Sequence, residues 1–462
     1  MIAAALACAL AFRFALVASW HKPGGDGVQY YRMAQELRRA NRLAFAPPPA
    51  PLAYSRLPGY PVFLAYVGAP GRSWGSEQHV VAAVIWNVLL DLGTALLVLL
   101  ILRERKLDER AGRAGFVLVL ACPTLWLVSC YALTETMSGF LGTLEIYLAV
   151  RAMRTRPLLN AALAGVVAGV SQLVRADALT FAPGVAIALA AMDAPPRRRL
   201  AALGAFGAAA IVAFSPWPLR NLARFGAAHP FSSTWRQMDG TPLGDGTMEW
   251  TRTWSSSQPG EAFFDLILAN NMAWDLNRPG IIMPAMYDSE EEHQRIIAIV
   301  RRYNAERLSP AVDEQFRELA RERRARAPWR FYVTLPLKRI ARLWAPAPDW
   351  ELPLKVSWLG LPSLRWTFGW LDRALFALAL AGAVIMLQRS KEARVTAAIC
   401  LSCVAARTVL YAFAIPHGVG GRYLVEAFPM MIVPAAVAVA AIASAVARRV
   451  TSSSPARHAH MG

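Results

Sequence analysis

The sequence predicts an all-α protein that crosses a membrane about ten times. Three observations carry this. Of the 462 residues, 56% are hydrophobic and only 17% charged, and the mean hydropathy is +0.33. The apolar residues gather in separate runs of about 17–25, the length an α-helix needs to cross the hydrocarbon core. The net charge of +18 is carried largely by arginines beside those runs, where membrane topology puts them. They do not form the continuous basic stripe of a nucleic-acid binder. Membrane lipids and anionic lipid phosphates are the partners that suit such a surface, and nucleic acid is not.

The spans read as 1–19, 80–102, 114–131, 133–150, 158–174, 177–192, 200–217, 367–388, 395–414 and 423–447. No basic residue precedes the first run, so it reads as an uncleaved span and not as a signal peptide. Arg13 lies inside it. Either it faces the protein interior, a functional hint, or the true start lies upstream of Met1. The short connections alternate in charge. Arg103, Arg105, Lys106, Arg110 and Arg113 follow the second span, and Arg151, Arg154 and Arg156 follow the fourth. Arg197–Arg199 follow the sixth, Arg389, Lys391 and Arg394 the eighth, and Arg448 and Arg449 the tenth. The turns between them are nearly free of Lys and Arg, which puts both termini in the cytoplasm. Trp20, Trp74, Trp217, Trp344, Trp358 and Trp370 fall in or beside the outer loops, where amphipathic indoles settle.

Four parts follow from this reading. Residues 1–220 form a seven-span module whose first outer loop is 20–79. Residues 221–366 form an outer, periplasmic unit, residues 367–447 three further spans, and residues 448–462 a cytoplasmic tail. In the first loop a juxtamembrane helix is expected over Gly27–Asn41, then a Pro-rich stretch, Ala46–Pro51. The outer unit opens with Gly-rich turns near Asp239–Thr247. Ser289 with Glu292 reads as a capping box, and Ser309-Pro310 as a second helix start. Residues 329–344, with Lys338, Arg339 and Arg342 among apolar residues, read as an amphipathic helix lying in the interface. Arg317, Arg321, Arg323, Arg324 and Arg326 read as a solvated or head-group-facing helix side. Cys8, Cys122 and Cys130 sit in apolar runs. Cys400 and Cys403 form a C-x-x-C inside a span with no second ligand pair, so packed thiols are expected.

Chemistry concentrates at the outer boundary. Asp26 comes a few residues after the first span. It can cap the following helix, or act as a base that takes a proton from an attacking hydroxyl or amine. Glu135 lies in the tight turn between the third and fourth spans. Arg175 and Asp177 end the fifth span, as a local ion pair or with Arg175 on a phosphate. Pro216 and Pro218 stop the seventh span's helix, which leaves Arg220 and Asn221 at the outer surface. Arg422 and Tyr423 open the tenth span behind Gly418–Gly421, with His417 beside them. Arg56 precedes Pro58-Gly59-Tyr60-Pro61, a turn fixed by its prolines and glycine. No D-x-D pair, P-loop or dinucleotide fingerprint occurs, so a nucleotide-sugar donor has no support.

Several of these stretches fall together in order. Asp26…Tyr30-Tyr31…Ala34…Leu37, then Arg56-Leu57-Pro58-Gly59-Tyr60-Pro61, then Ser215-Pro216-Trp217-Pro218-Leu219-Arg220-Asn221, then Gly421-Arg422-Tyr423…Pro429 resemble the GT-C membrane glycosyltransferases. The nearest types are protein O-mannosyltransferase and lipid A aminoarabinose transferase. The resemblance covers most of residues 1–235 and the last span. It implies an inverting transfer of a sugar from a polyprenyl-phosphate carrier to a lipid, glycan or protein, on the outer face of a bacterial inner membrane. By position Asp26 becomes the base, and Glu135 an acidic residue close to the site. Arg56, Tyr60, Arg175, Asp177, Arg220, Arg422 and Tyr423 become substrate contacts. A divalent metal is left open. The rival reading is a flippase or other transporter of lipid-linked sugars, but the inverted repeat and paired broken helices expected of many transporters are missing.

Overall fold

The computed structural model describes the chain apart from residues 1, 20–24, 45–46, 49–51, 54–55, 67–76, 227–235, 239–240, 244, 257–271, 345–363, 415–420 and 453–462. The architecture is all-α, with one short antiparallel hairpin, β1 (Arg236–Met238) and β2 (Thr241–Leu243). Each expected span coincides with a helical segment. They are α1 (Ile2–Ser19), α4 (Glu77–Glu104), α5 (Glu109–Ala121) with α6 (Pro123–Ser129), α7 (Thr134–Ala152), α8 (Pro157–Val174), and a 3-10 turn with α9 (Ala182–Ala190). The rest are α10 (Pro196–Phe214) with α11 (Pro216–Phe225), α16 (Leu364–Leu387), α17 (Lys391–Phe413) and α18 (Phe428–Ser452). Five are long and apolar enough to cross a bilayer alone, and seven if each bent pair counts as one span. The bends have a local cause: Pro123 and Pro216 each open a new helix, 51° and 41° off the one before. Proline removes the hydrogen-bond donor that would have continued the first helix.

The first outer loop folds as α2 (Gly25–Ala40), two residues earlier than expected, and α3 (Gly59–Tyr66). Gly59 is required where it stands. A Cβ there would meet the carbonyl of Leu173 at 2.7 Å, so the loop's turn lies directly on the last turn of α8.

The outer unit contains α12 (Asp245–Arg252), α13 (Glu290–Glu306), α14 (Pro310–Arg326) and α15 (Leu335–Trp344). Both predicted caps form. Glu292 N–H donates to Ser289 Oγ at 3.2 Å, and Val312 N–H to Ser309 Oγ at 3.3 Å. The unit has its own core, in which Trp250 and Phe316 pack ring against ring beside Ile299, Val300 and Tyr303. The basic run faces solvent only in part: Arg321 and Arg326 are exposed, and the other three are turned onto the protein. Arg323 is 1% exposed and reaches Glu292 at 2.9 Å and the Met286 carbonyl at 2.7 Å, while Arg317 and Arg324 pair with Glu249. Sequence alone misses the burial of Arg323 because its partners, Glu292 and the Met286 carbonyl, lie outside its own helix. Upstream of α15, Trp329 and Tyr332 are exposed, while its last turn joins the spans. Leu343 lies in their core, and Trp344 packs edge-to-face on Phe376 of α16.

The basic connections share one end of the bundle. Arg105 donates to Thr396 Oγ1 and to the Glu392 carbonyl, Arg154 to the Glu104 carbonyl, and Arg110 to Ser444, while Lys391 pairs with Asp193. The outer unit and the first loop share the other. All five cysteines are free, and Cys400 and Cys403 are buried.

Candidate active site

The expected residues at the outer end fall into three neighbouring groups. The first is on α2. Asp26 lies in its first turn, where a carboxylate complements the helix dipole, and its side chain turns to the loop. Arg56 Nη2 is 2.8 Å from Asp26 Oδ1, and Arg56 Nε donates to Gln29 Oε1 at 3.0 Å. The Arg56 guanidinium also lies 5.6 Å from the Tyr30 ring centre. Burial works against its charge, but Tyr30 and Asp26 hold its pKa above the ordinary arginine value. Asp26 remains 37% exposed at its side chain, so a substrate can reach it.

The second group is a buried charge cluster. Arg175 closes α8, where the backbone turns extended, and Asp177 follows in the 3-10 turn Ala176–Phe181. Glu135 lies in the first turn of α7. Arg175 Nη1 is 3.2 Å from Glu135, Nη2 2.9 Å from Asp177, and Nε 2.9 Å from Glu426. A second guanidinium completes the group. Arg407 of α17 pairs with Asp177 at 3.0 Å and with Glu426, and donates to the Tyr423 carbonyl. The Tyr411 hydroxyl donates to Asp177, and the Tyr411 ring lies 4.9 Å from that of Tyr423. Three carboxylates thus face two guanidinium groups. Ions this deeply buried persist only when each is met by opposite charge and hydrogen bonds.

Tyr30 stands between these two groups. It is buried, packs edge-to-face on the fully buried Tyr60 at 5.4 Å, and feels charges from both sides. Burial raises its phenol pKa. Arg56 opposes the rise, Asp26 adds to it, and Arg175 and Glu135 follow in the same opposed pairing.

The third group is on α11. Arg220 donates to the Ala53 carbonyl of the first loop at 2.8 Å and to Asn221 Oδ1 at 2.9 Å, and its guanidinium stacks over Trp217 and Phe225. No carboxylate is paired with it among the described residues. The Arg422 side chain and His417 lie outside the described residues.

Sequence reasoning overlooked Glu426, Arg407 and Tyr411. It also overlooked Asp91, the partner of Arg13, whose Nε lies 3.1 Å from it with both side chains buried. The signal was available. Each of these charges lies within an apolar span, and an ionisable residue there is seldom idle. Between the two buried clusters lies a narrow crevice lined by Asp91 and Thr94 of α4 and by Glu135 and Thr136 of α7. No group of three or more His, Cys, Asp or Glu is arranged to hold a metal among the described residues. Glu135, Asp177 and Glu426 are turned onto guanidinium groups instead.

No protein-family model matches the chain, and no curated protein does. Solved structures match by fold. The oligosaccharyltransferase of Archaeoglobus fulgidus in its apo form aligns over 98% of this chain and 52% of its own length, with a TM-score of 0.50 at 15% identity. The chain has the GT-C fold. Other matches to that fold are AglB of the same organism in complex with an inhibitory peptide and a dolichol-phosphate, and ArnT from Cupriavidus metallidurans bound to undecaprenyl phosphate. The first has 13% identity over 94% of this chain and 48% of the other, with a TM-score of 0.47. The second has 14% identity over 98% and 80%, with a TM-score of 0.43. The chain spans about half the length of the archaeal enzyme.

Proposed function

We propose that this protein is a glycosyltransferase that takes its sugar from a polyprenyl-phosphate carrier on the outer face of a bacterial inner membrane, with both termini in the cytoplasm. The acceptor is a lipid, a glycan or a protein. One observation carries the reading: a reachable carboxylate, Asp26, is held by Arg56 at the rim of a buried charge cluster, at the end of a GT-C bundle opposite its basic connections.

In this mechanism Asp26 accepts the proton of the acceptor hydroxyl or amine as that group attacks the anomeric carbon. The new glycosidic bond forms with inversion as the bond from the anomeric carbon to the phosphate oxygen breaks, and the electron pair leaves with the polyprenyl phosphate. The Arg56 guanidinium stabilises the carboxylate form that a base must hold. The departing phosphate needs positive charge that is not already neutralised. Arg220 fits that requirement, because its contacts are carbonyl and amide oxygens and aromatic faces. Arg422 is its second candidate by position. Arg175 has three carboxylates around it, so its role is to hold Glu135 and the turn beside it. Tyr60 supports Tyr30, and Tyr423 supports Tyr411.

The test uses purified full-length wild type and Asp26→Asn in detergent, with labelled polyprenyl-phosphate sugars and membrane-lipid extract. Label should leave the donor in the wild type only, with the variant melting at the wild-type temperature. Full transfer by the variant would sink the base assignment. Flipping in vesicles without transfer would favour the transporter instead.

A further inference from the structure

The outer two turns of α17 are gripped from two sides. On one side Arg407 and Tyr411 reach into the charge cluster. On the other, the outer unit holds the end of the same helix. Arg339 of α15 is 1% exposed. Its Nη1 donates to the Ala412 carbonyl at 3.0 Å, its Nη2 to the Arg252 and Ser255 carbonyls at 2.7 Å each, and its Nε to Ser255 at 3.0 Å. Arg252 in turn donates through Nε to the Ala414 carbonyl at 3.0 Å. One turn below, Trp344 Nε1 donates to Thr408 Oγ1 at 3.2 Å.

The chemistry of this contact is that of a helix C-terminus. The last carbonyls of a helix have no partner within it and carry partial negative charge. Guanidinium groups are strong donors for such carbonyls. Here both come from the outer unit, so the place of α17 depends on that unit. Residues 407 and 411 lie on one face of the helix and 408 and 412 on the adjoining one, because neighbours four apart share a face. A shift of the clasped face therefore moves Arg407 and Tyr411 relative to Asp177 and Glu426.

We propose that Arg339 is a positioning residue. By clasping the end of α17 to α12, it holds Arg407 and Tyr411 in register with Asp177 and Glu426, and couples the outer unit to the buried charge cluster. The coupling is independent of the reaction assigned above, while its effect on turnover rests on the transferase reading.

The primary experiment is hydrogen–deuterium exchange on the full chain in detergent, wild type against Arg339→Gln. Loss of a charged hydrogen-bond donor should raise exchange about tenfold across residues 405–414 and 421–427, with residues 290–326 unchanged. A rise confined to 250–256 and 335–344 would overturn the proposal. Arg252→Gln, which leaves Arg339 in place, should give a smaller rise in the same regions and serves if the first variant does not fold. An unchanged 405–414 in that variant counts against the clasp. In the transfer assay Arg339→Gln should lower kcat, and Arg339→Lys should restore part of it. Because exchange is read without substrate, a wrong transferase assignment would leave the first result intact, whereas a wrong clasp would not.

Discussion

Two arginines at the outer boundary look alike in sequence and differ in surroundings. Arg175 is enclosed by Glu135, Asp177 and Glu426, whereas Arg220 meets neutral oxygens and ring faces. Replacing Arg175 with Gln strands buried carboxylates and should cost about 3–5 kcal/mol of stability. Replacing Arg220 with Gln removes exchangeable contacts and should change stability by about 1 kcal/mol, while raising KM for the lipid donor. Melting in detergent, paired with donor titration in the transfer assay, reads both outcomes. A drop in melting temperature for Arg220→Gln equal to that for Arg175→Gln would refute the distinction. The Arg175–Asp177 ion pair was legible from adjacency; the contact of Asp26 with Arg56 was not, because 30 residues separate them. Glu426 and Arg407 were hidden because they meet only in three dimensions, 19 residues apart and across two helices.

At the scale of elements, small residues set how closely helices approach. A Cβ on Gly165 would lie 2.2 Å from the Phe206 carbonyl, and one on Gly169 would lie 2.5 Å from that of Ala210. These two glycines, one turn apart, bring α8 and α10 into backbone contact, as small residues do between membrane helices. The opposite side of α10, with Leu200, Ile211 and Val212, is exposed. Gly169→Val is therefore expected to push α10 outward and cost about 1–3 kcal/mol, read as a lower melting temperature. Ala208→Val, on an exposed position of α10, should cost far less. Helix existence was legible throughout from hydrophobic run length. The ends of helices were less so, because local prolines and caps decide them. The π-helical turn Arg330–Thr334 ahead of α15 had no visible signal.

The whole molecule has two bodies of different chemistry, and acid should separate them. In the outer unit Asp288 is bonded to Arg330 at 2.6 and 2.7 Å, and this contact, with Arg323 and Arg326 nearby, holds its pKa below the ordinary carboxylate value. A depressed folded pKa means stability that is present above the unfolded value and is lost as pH falls through the folded one. The outer unit should thus loosen below about pH 4, first at the junction of residues 288–292 with 323–330. Exchange measured against pH should show this, and Asp288→Asn should remove that acid-sensitive component. The separate core around Trp250 and Phe316 falls within the stretch that run length set apart from the apolar spans. The joint between bundle and outer unit was not legible, because its arginines, Arg252 and Arg339, bind backbone carbonyls, which leave no pattern in sequence.

Because α15 is packed on helices that come later in the chain, the order of synthesis matters. When residues 335–344 emerge, α16, α17 and the 421–427 turn do not yet exist, and Arg339 can meet the carbonyls of Arg252 and Ser255 but not that of Ala412. Glu426 arrives last of all and supplies the third carboxylate to Arg175 and Arg407. Assembly of the charged centre is therefore a late event, completed only when residues 421–427 are in place. A ribosome stalled before that point would leave Glu135 and Asp177 matched two to two against Arg175 and Arg407, in a socket still open on the side that Glu426 closes in the finished protein.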